Sequence, residues 1–225
     1  MSPRLARIPR HERRSGDEYE RAAAEGRRKY FDPALGKTVI RILPGECYLT
    51  GNPEEMLVTV LGSCVAACAR DPLIGVGGMN HFMLPDDGGT HEPTAAGRLR
   101  YGRYAMEALI NGLLEAGGQK SRLEIKVFGG ADFAYSSTPI GSLNGAFMRR
   151  YLRDRDMPCL AADLGGDVPR RVCYAPDTGK VDRLRLVRAT DQALFREEAG
   201  RQRLPRQKPG KGGTAATDIS PVNSR

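Results

Sequence analysis

Apolar residues in this chain come in short runs cut by glycine, proline and aspartate, and that punctuation restricts the fold more than any other feature. Thr38–Leu43, Met56–Val60, Cys64–Ala69, Ile74–Leu84, Leu123–Phe128, Arg171–Ala175 and Val181–Val187 have the length and residue types of strands. Two segments carry a helical period instead. Tyr101, Tyr104, Ala105, Ala108, Leu109 and Leu113 fall on one face, and Gly117-Gly118 supplies a stop. Leu143, Phe147, Met148, Tyr151 and Leu152 repeat similarly before Met157-Pro158. The strands do not alternate regularly with helices, so the pattern predicts a mixed-sheet α+β domain, not a doubly wound parallel sheet. With no Trp and 27 Gly in 225 residues, its core has to be built from Val, Leu, Ile, Ala and Met around glycine-controlled turns.

Charge marks the expected limits of that domain. Residues 1–36 hold nine Lys/Arg against six Asp/Glu, and residues 196–225 hold seven against three. Both read as mobile polar arms, the first with a short helix through Glu18–Glu25, around a folded segment at 37–195. The net charge of +8 therefore sits mainly at the ends. No groove-reading motif accompanies it, so nucleic acid is not expected as a partner. No stretch approaches the roughly 18 uncharged apolar residues of a spanning helix, and the charged N-terminus lacks an apolar signal core. A cytoplasmic protein without membrane insertion is expected. The five cysteines, Cys47, Cys64, Cys68, Cys159 and Cys173, are an odd number without a secretion signal, which argues for reduced thiols. Cys47, Cys159 and Cys173 read as core residues.

Chemistry concentrates in Leu61-Gly62-Ser63-Cys64-Val65 and Gly77-Gly78-Met79-Asn80-His81-Phe82-Met83-Leu84-Pro85. Asp71-Pro72 between them opens a turn, because Asp bonds its own downstream backbone and Pro presets the next angle. A hairpin centred between Pro72 and Leu73 sets Cys64 opposite His81 on the same face. An imidazole beside a thiol can take its proton or hold the thiolate as an ion pair. A sharp turn at Gly62-Ser63 would aim backbone N–H groups, Cys64's among them, at a bound carbonyl. The blander reading is a buried Cys64 and a satisfied core histidine. A metal site using Cys64, Cys68, His81 and His91 fits no standard zinc spacing, and no metal or organic cofactor is expected. Phe128-Gly129-Gly130-Ala131, Gly141-Ser142-Leu143-Asn144 and Asp163-Leu164-Gly165-Gly166 lack a phosphate-loop signature, leaving close backbone packing, turns or a substrate groove; Asn144 at a helix start reads equally as cap or ligand.

These blocks, with Pro44-Gly45-Glu46, Thr59, Arg100-Tyr101-Gly102, Lys126-Val127 and Thr178-Gly179-Lys180-Val181, run in order through about residues 38–188 and resemble the chemoreceptor glutamine deamidases of the CheD family. The resemblance implies a β-sandwich of mixed sheets flanked by helices, similar to toxin-type cysteine deamidases. It implies hydrolysis of selected glutamine side chains to glutamate in methyl-accepting chemotaxis receptors, at receptor arrays. Cys64 would be the nucleophile, forming a thioester, His81 the general base and Thr59 the third polar residue, with Gly62, Ser63 and Asn80 lining the oxyanion hole or substrate groove. A CheC-type phosphatase is a second implied partner. The alternative reading is a chemotaxis adaptor that binds receptors or that phosphatase with little turnover.

Overall fold

The computed structural model describes residues 18–85, 97–133 and 138–187. Two five-stranded mixed sheets lie face to face with helices on their outer surfaces. The first sheet has the order β1 (Lys29–Asp32), β2 (Lys37–Arg41), β4 (Glu55–Leu61), β9 (Arg170–Ala175), β10 (Lys180–Arg185). The second has β3 (Glu46–Thr50), β6 (Val76–His81), β5 (Val65–Asp71), β7 (Glu124–Gly129), β8 (Cys159–Leu164). Among the described strands, β2–β4 and β7–β8 are the parallel pairs. The helical residues 18–24 (α1) cover the first sheet, and α2 (Gly102–Glu115) and α3 (Ile140–Asp154) cover the second.

The period of two along each strand sorts residues into these layers. Leu57 and Leu61 of β4, Ala66 and Cys68 of β5, Met79 of β6 and Val172 and Tyr174 of β9 fill the space between the sheets. The alternate residues Val65, Ala67 and Ala69 meet Met106, Leu109, Leu113, Phe147 and Met148 from α2 and α3. On the far side, Val39 and Val58 pack on Tyr19, Ala22 and Ala23 of α1. Three apolar layers, one between the sheets and one under each helical surface, account for a stable fold without a disulfide; all five cysteines are free.

Several expectations need correction. The N-terminal arm does not extend to residue 36: Tyr19, Ala22, Ala23 and Tyr30 are buried, so the described fold begins at residue 18. The short helix expected at Glu18–Glu25 is present as α1 and is docked on the first sheet. Residues 1–17 and 196–225, read as mobile arms, and His91 lie outside the described residues. The strands β1, β3 and β8 are additional to those expected. All three are edge strands, where one unpaired side weakens the alternating signal. Cys159 in β8 is exposed, not core, and Cys47 and Cys173 are half-buried. Leu143 is exposed, and its neighbour Asn144 turns inward instead.

The helix stop lies where glycine predicts it. Gly117 takes a left-handed φ of 94° and the Gly118 N–H bonds the Leu113 carbonyl at 2.9 Å. Asp71 bonds the Leu73 N–H at 2.9 Å, as the Asp-Pro turn requires, and its buried carboxylate also accepts from Arg122. The guanidinium holds that carboxyl well below the usual range. The loop, however, closes four residues later, at left-handed Gly75. The hairpin pairs Cys68 with Met79 and Val65 with Phe82, shifting the expected register by two residues. An even shift preserves facing, so Cys64 and His81 still share one side of the sheet as diagonal neighbours.

Candidate active site

Cys64 lies where the chain crosses from one sheet to the other. Thr59 belongs to β4 in the first sheet; Gly62 and Ser63 bend the chain; Val65 starts β5 in the second. The half-buried Cys64 side chain packs into the layer between the sheets. His81 ends β6 in the second sheet and reaches back across the layer to the first. Its Nδ1 lies 2.8 Å from Thr59 Oγ1, which is itself 2.7 Å from the Ile42 carbonyl oxygen.

This chain of contacts fixes the imidazole tautomer. A carbonyl can only accept, so the single Thr59 hydroxyl proton goes to Ile42 and the hydroxyl oxygen accepts from Nδ1–H. The neutral ring therefore carries its lone pair on Nε2. That atom is buried and has no hydrogen-bond partner among the described residues. Burial pushes the His81 imidazole down to about 4, opposed by the Ile42 carbonyl, and pushes the Cys64 thiol up to about 12, offset in part by the Cys64 backbone N–H. Both groups are neutral near pH 7. Such shifts disfavour a resting thiolate–imidazolium pair.

The glycine blocks hold the Cys64 turn by close backbone approach. Gly129, at φ 114°, would place a Cβ 2.2 Å from the Cys64 carbonyl oxygen, and the Gly130 N–H bonds that oxygen at 2.8 Å. Ala131 N–H donates to the Gly62 carbonyl at 2.9 Å, and Gly141 passes so near Ala131 that a Cβ would lie 2.3 Å from its carbonyl oxygen. Asp132 accepts from the Gly141 and Ser142 N–H groups and caps α3. Among the described residues, neither the Ser63 nor the Cys64 N–H meets a backbone acceptor.

The sequence-derived site residues divide accordingly. Thr59, Gly62, Ser63, Cys64 and His81 converge at the crossover. Asn80 does not, because its neighbour His81 points between the sheets and alternation sends Asn80 to the helical side. There it accepts from Ala67 N–H at 2.8 Å and donates to the Ala105 carbonyl at 2.9 Å, joining β5 to α2. Asn144 enters from α3: its Nδ2 is 2.9 Å from both the Ser63 and the Met83 carbonyl oxygens. Its place before the apolar helix face gave only an even choice between cap and ligand. No three His, Cys, Asp or Glu side chains among the described residues form a metal-ligating group, and no described helix is long and apolar enough to cross a membrane.

Comparison with known proteins places the chain in a family. Residues 83–184 match the family model described as CheD chemotactic sensory transduction, a span that includes Gly129 and Asn144 but starts just after His81. A probable chemoreceptor glutamine deamidase CheD of Rhodopseudomonas palustris is 52% identical over 171 residues, covering 76% of this chain and 80% of that one. The similarly named protein of Saccharophagus degradans is 45% identical over 176 residues, with 76% and 80% covered. That of Bordetella parapertussis is 51% identical over 163 residues, with 72% and 76% covered. Identity of this extent across most of both chains, over a sandwich of mixed sheets flanked by helices, makes this protein a member of the CheD family of chemoreceptor glutamine deamidases.

Proposed function

We propose that this protein deamidates selected glutamine side chains of chemotaxis receptors through a Cys64 thioester, with His81 as general base and Thr59 holding the imidazole. The observation that carries the reading is the Ile42–Thr59–His81 relay, which leaves a buried Nε2 lone pair on the face shared with Cys64. The names of the relatives support the substrate class.

In the first half-reaction, the Cys64 thiol gives its proton to His81 Nε2 as sulfur attacks the glutamine Cδ. The carbonyl electron pair moves to oxygen, where the Ser63 and Cys64 N–H groups supply donors. Collapse of the tetrahedral intermediate breaks the C–N bond, and His81 protonates the departing nitrogen to give ammonia. Water then attacks the thioester while His81 takes its proton. The C–S bond breaks, His81 returns the proton to sulfur, and glutamate leaves. Every proton removed is given back by one imidazole, and the chemistry needs no redox partner.

Mass spectrometry of a receptor cytoplasmic fragment tests this directly. The native protein should add about 1 Da per modified glutamine by replacing NH2 with OH, and Cys64→Ala should add none. Binding without any mass gain would replace this reading with that of an adaptor. A CheC-type phosphatase as second partner and residence at receptor arrays belong to the same proposal; co-purification with that phosphatase and colocalisation with receptors are their tests.

A further inference from the structure

We infer that Asn144 is a positioning residue that aims the Cys64 N–H at the developing oxyanion; the inference rests on the deamidation reading above. The argument begins with the peptide plane. In a trans peptide the Ser63 C=O and the Cys64 N–H point in opposite directions, so fixing one fixes the other. Asn144 Nδ2 holds the Ser63 carbonyl oxygen at 2.9 Å from the side of α3, which lies on the outer surface of the second sheet. The Cys64 N–H is thereby turned away from α3, toward the layer that contains the Cys64 side chain. The influence of that N–H on the Cys64 thiol agrees with this direction. A hydrogen bond to the carbonyl also polarises the peptide and strengthens the N–H as a donor.

Two further observations separate this from ordinary packing. The second Nδ2 proton goes to the Met83 carbonyl at 2.9 Å, so one amide joins the turn before the thiol to the strand end just past His81. Meanwhile Asn144 Oδ1 is buried without a partner among the described residues. A buried, unpaired acceptor is unfavourable, and stability alone does not account for an asparagine at this position. What the side chain supplies is two donors aimed at two carbonyls. No local capping signal encodes this, because the partners lie 81 and 61 residues away.

The test compares a reaction that forms an oxyanion with one that does not. Asn144→Ala should lower kcat for deamidation about 10- to 100-fold, the scale at which oxyanion donors act, with KM within about twofold. Alkylation of Cys64 by iodoacetamide, a displacement at saturated carbon, should keep its rate and pH profile. Rates are taken per alkylatable Cys64, so partial unfolding does not enter. Asn144→Ser, which retains one donor, should recover part of kcat. Unchanged kcat in folded Asn144→Ala overturns the inference, as does a parallel loss of alkylation, which would place the effect on the thiol. If neither variant folds, the native protein still decides. A glutamine-derived aldehyde adding its carbonyl carbon to the Cys64 sulfur should move the Cys64 amide proton downfield in a 1H–15N spectrum, and an unmoved amide overturns the inference. Native protein that shows no Cys64-dependent deamidation removes the underlying reading instead.

Discussion

Thr59 and His81 belong to different sheets, yet their side chains meet at 2.8 Å in the layer between them. The orientation of the candidate base therefore depends on closure of the sandwich. Thr59→Val keeps the shape but leaves Nδ1–H without its acceptor, and an unpaired buried donor costs about 1–3 kcal/mol. The variant should melt earlier and lose kcat more than KM, while Thr59→Ser should retain most of both. Thermal melts and ammonia release on a receptor fragment measure the two effects.

Resting ionisation offers a second test. With the thiol pushed up to about 12 and the imidazole down to about 4, a stable thiolate–imidazolium pair is disfavoured. Alkylation of free Cys64 should therefore climb steadily above pH 8 with no plateau near neutrality. A plateau between pH 5 and 7 would show a resting ion pair.

The same depressed imidazole links stability to pH. Its folded value of about 4 lies below the ordinary 6.5, so between these limits the unfolded chain binds the extra proton. Stability is fully present above about 6.5 and is lost as pH falls toward 4, by on the order of 3 kcal/mol. Urea titrations across that window should show the loss, and His81→Gln should flatten it. The Asp71 carboxyl, held low beside Arg122, contributes stability that disappears only at more acid pH, so the two effects separate.

Gly129 and Gly117 distinguish steric from conformational demands. Both have positive φ, but only Gly129 would drive a Cβ into the Cys64 carbonyl oxygen, while nothing lies within 4 Å of a Cβ at Gly117. Gly117→Ala should cost about 1 kcal/mol with activity intact. Gly129→Ala should displace the Cys64 turn and reduce kcat along with stability. Melting curves and kcat on the same samples give the comparison.

Asn80 supplies a contrast with its neighbour His81, the candidate base. Asn80→Ala breaks the Ala67 and Ala105 bonds on the helical side and should lower stability by about 1–3 kcal/mol. Deamidation per folded site should remain close to native. A large kcat loss at full folding would return Asn80 to the groove.

The period of two along Cys64–Ala69 and Ile74–Leu84, taken with a turn centred between Pro72 and Leu73, placed the thiol and imidazole on one face. That inference survived a wrong turn length because an even register shift leaves facing unchanged. Leu109 and Leu113 likewise marked the buried face of α2, and left-handed Gly117 marked its end. Thr59 entered the site through resemblance, but its contact with His81 spans 22 residues and two sheets. Asn144 reaches the site across a helical layer. Those partners, and the path by which β4 crosses through Gly62-Ser63 into β5, were decided only by tertiary structure. Local periodicity fixes which way a side chain points along its own element; which element it then meets depends on how the layers pack.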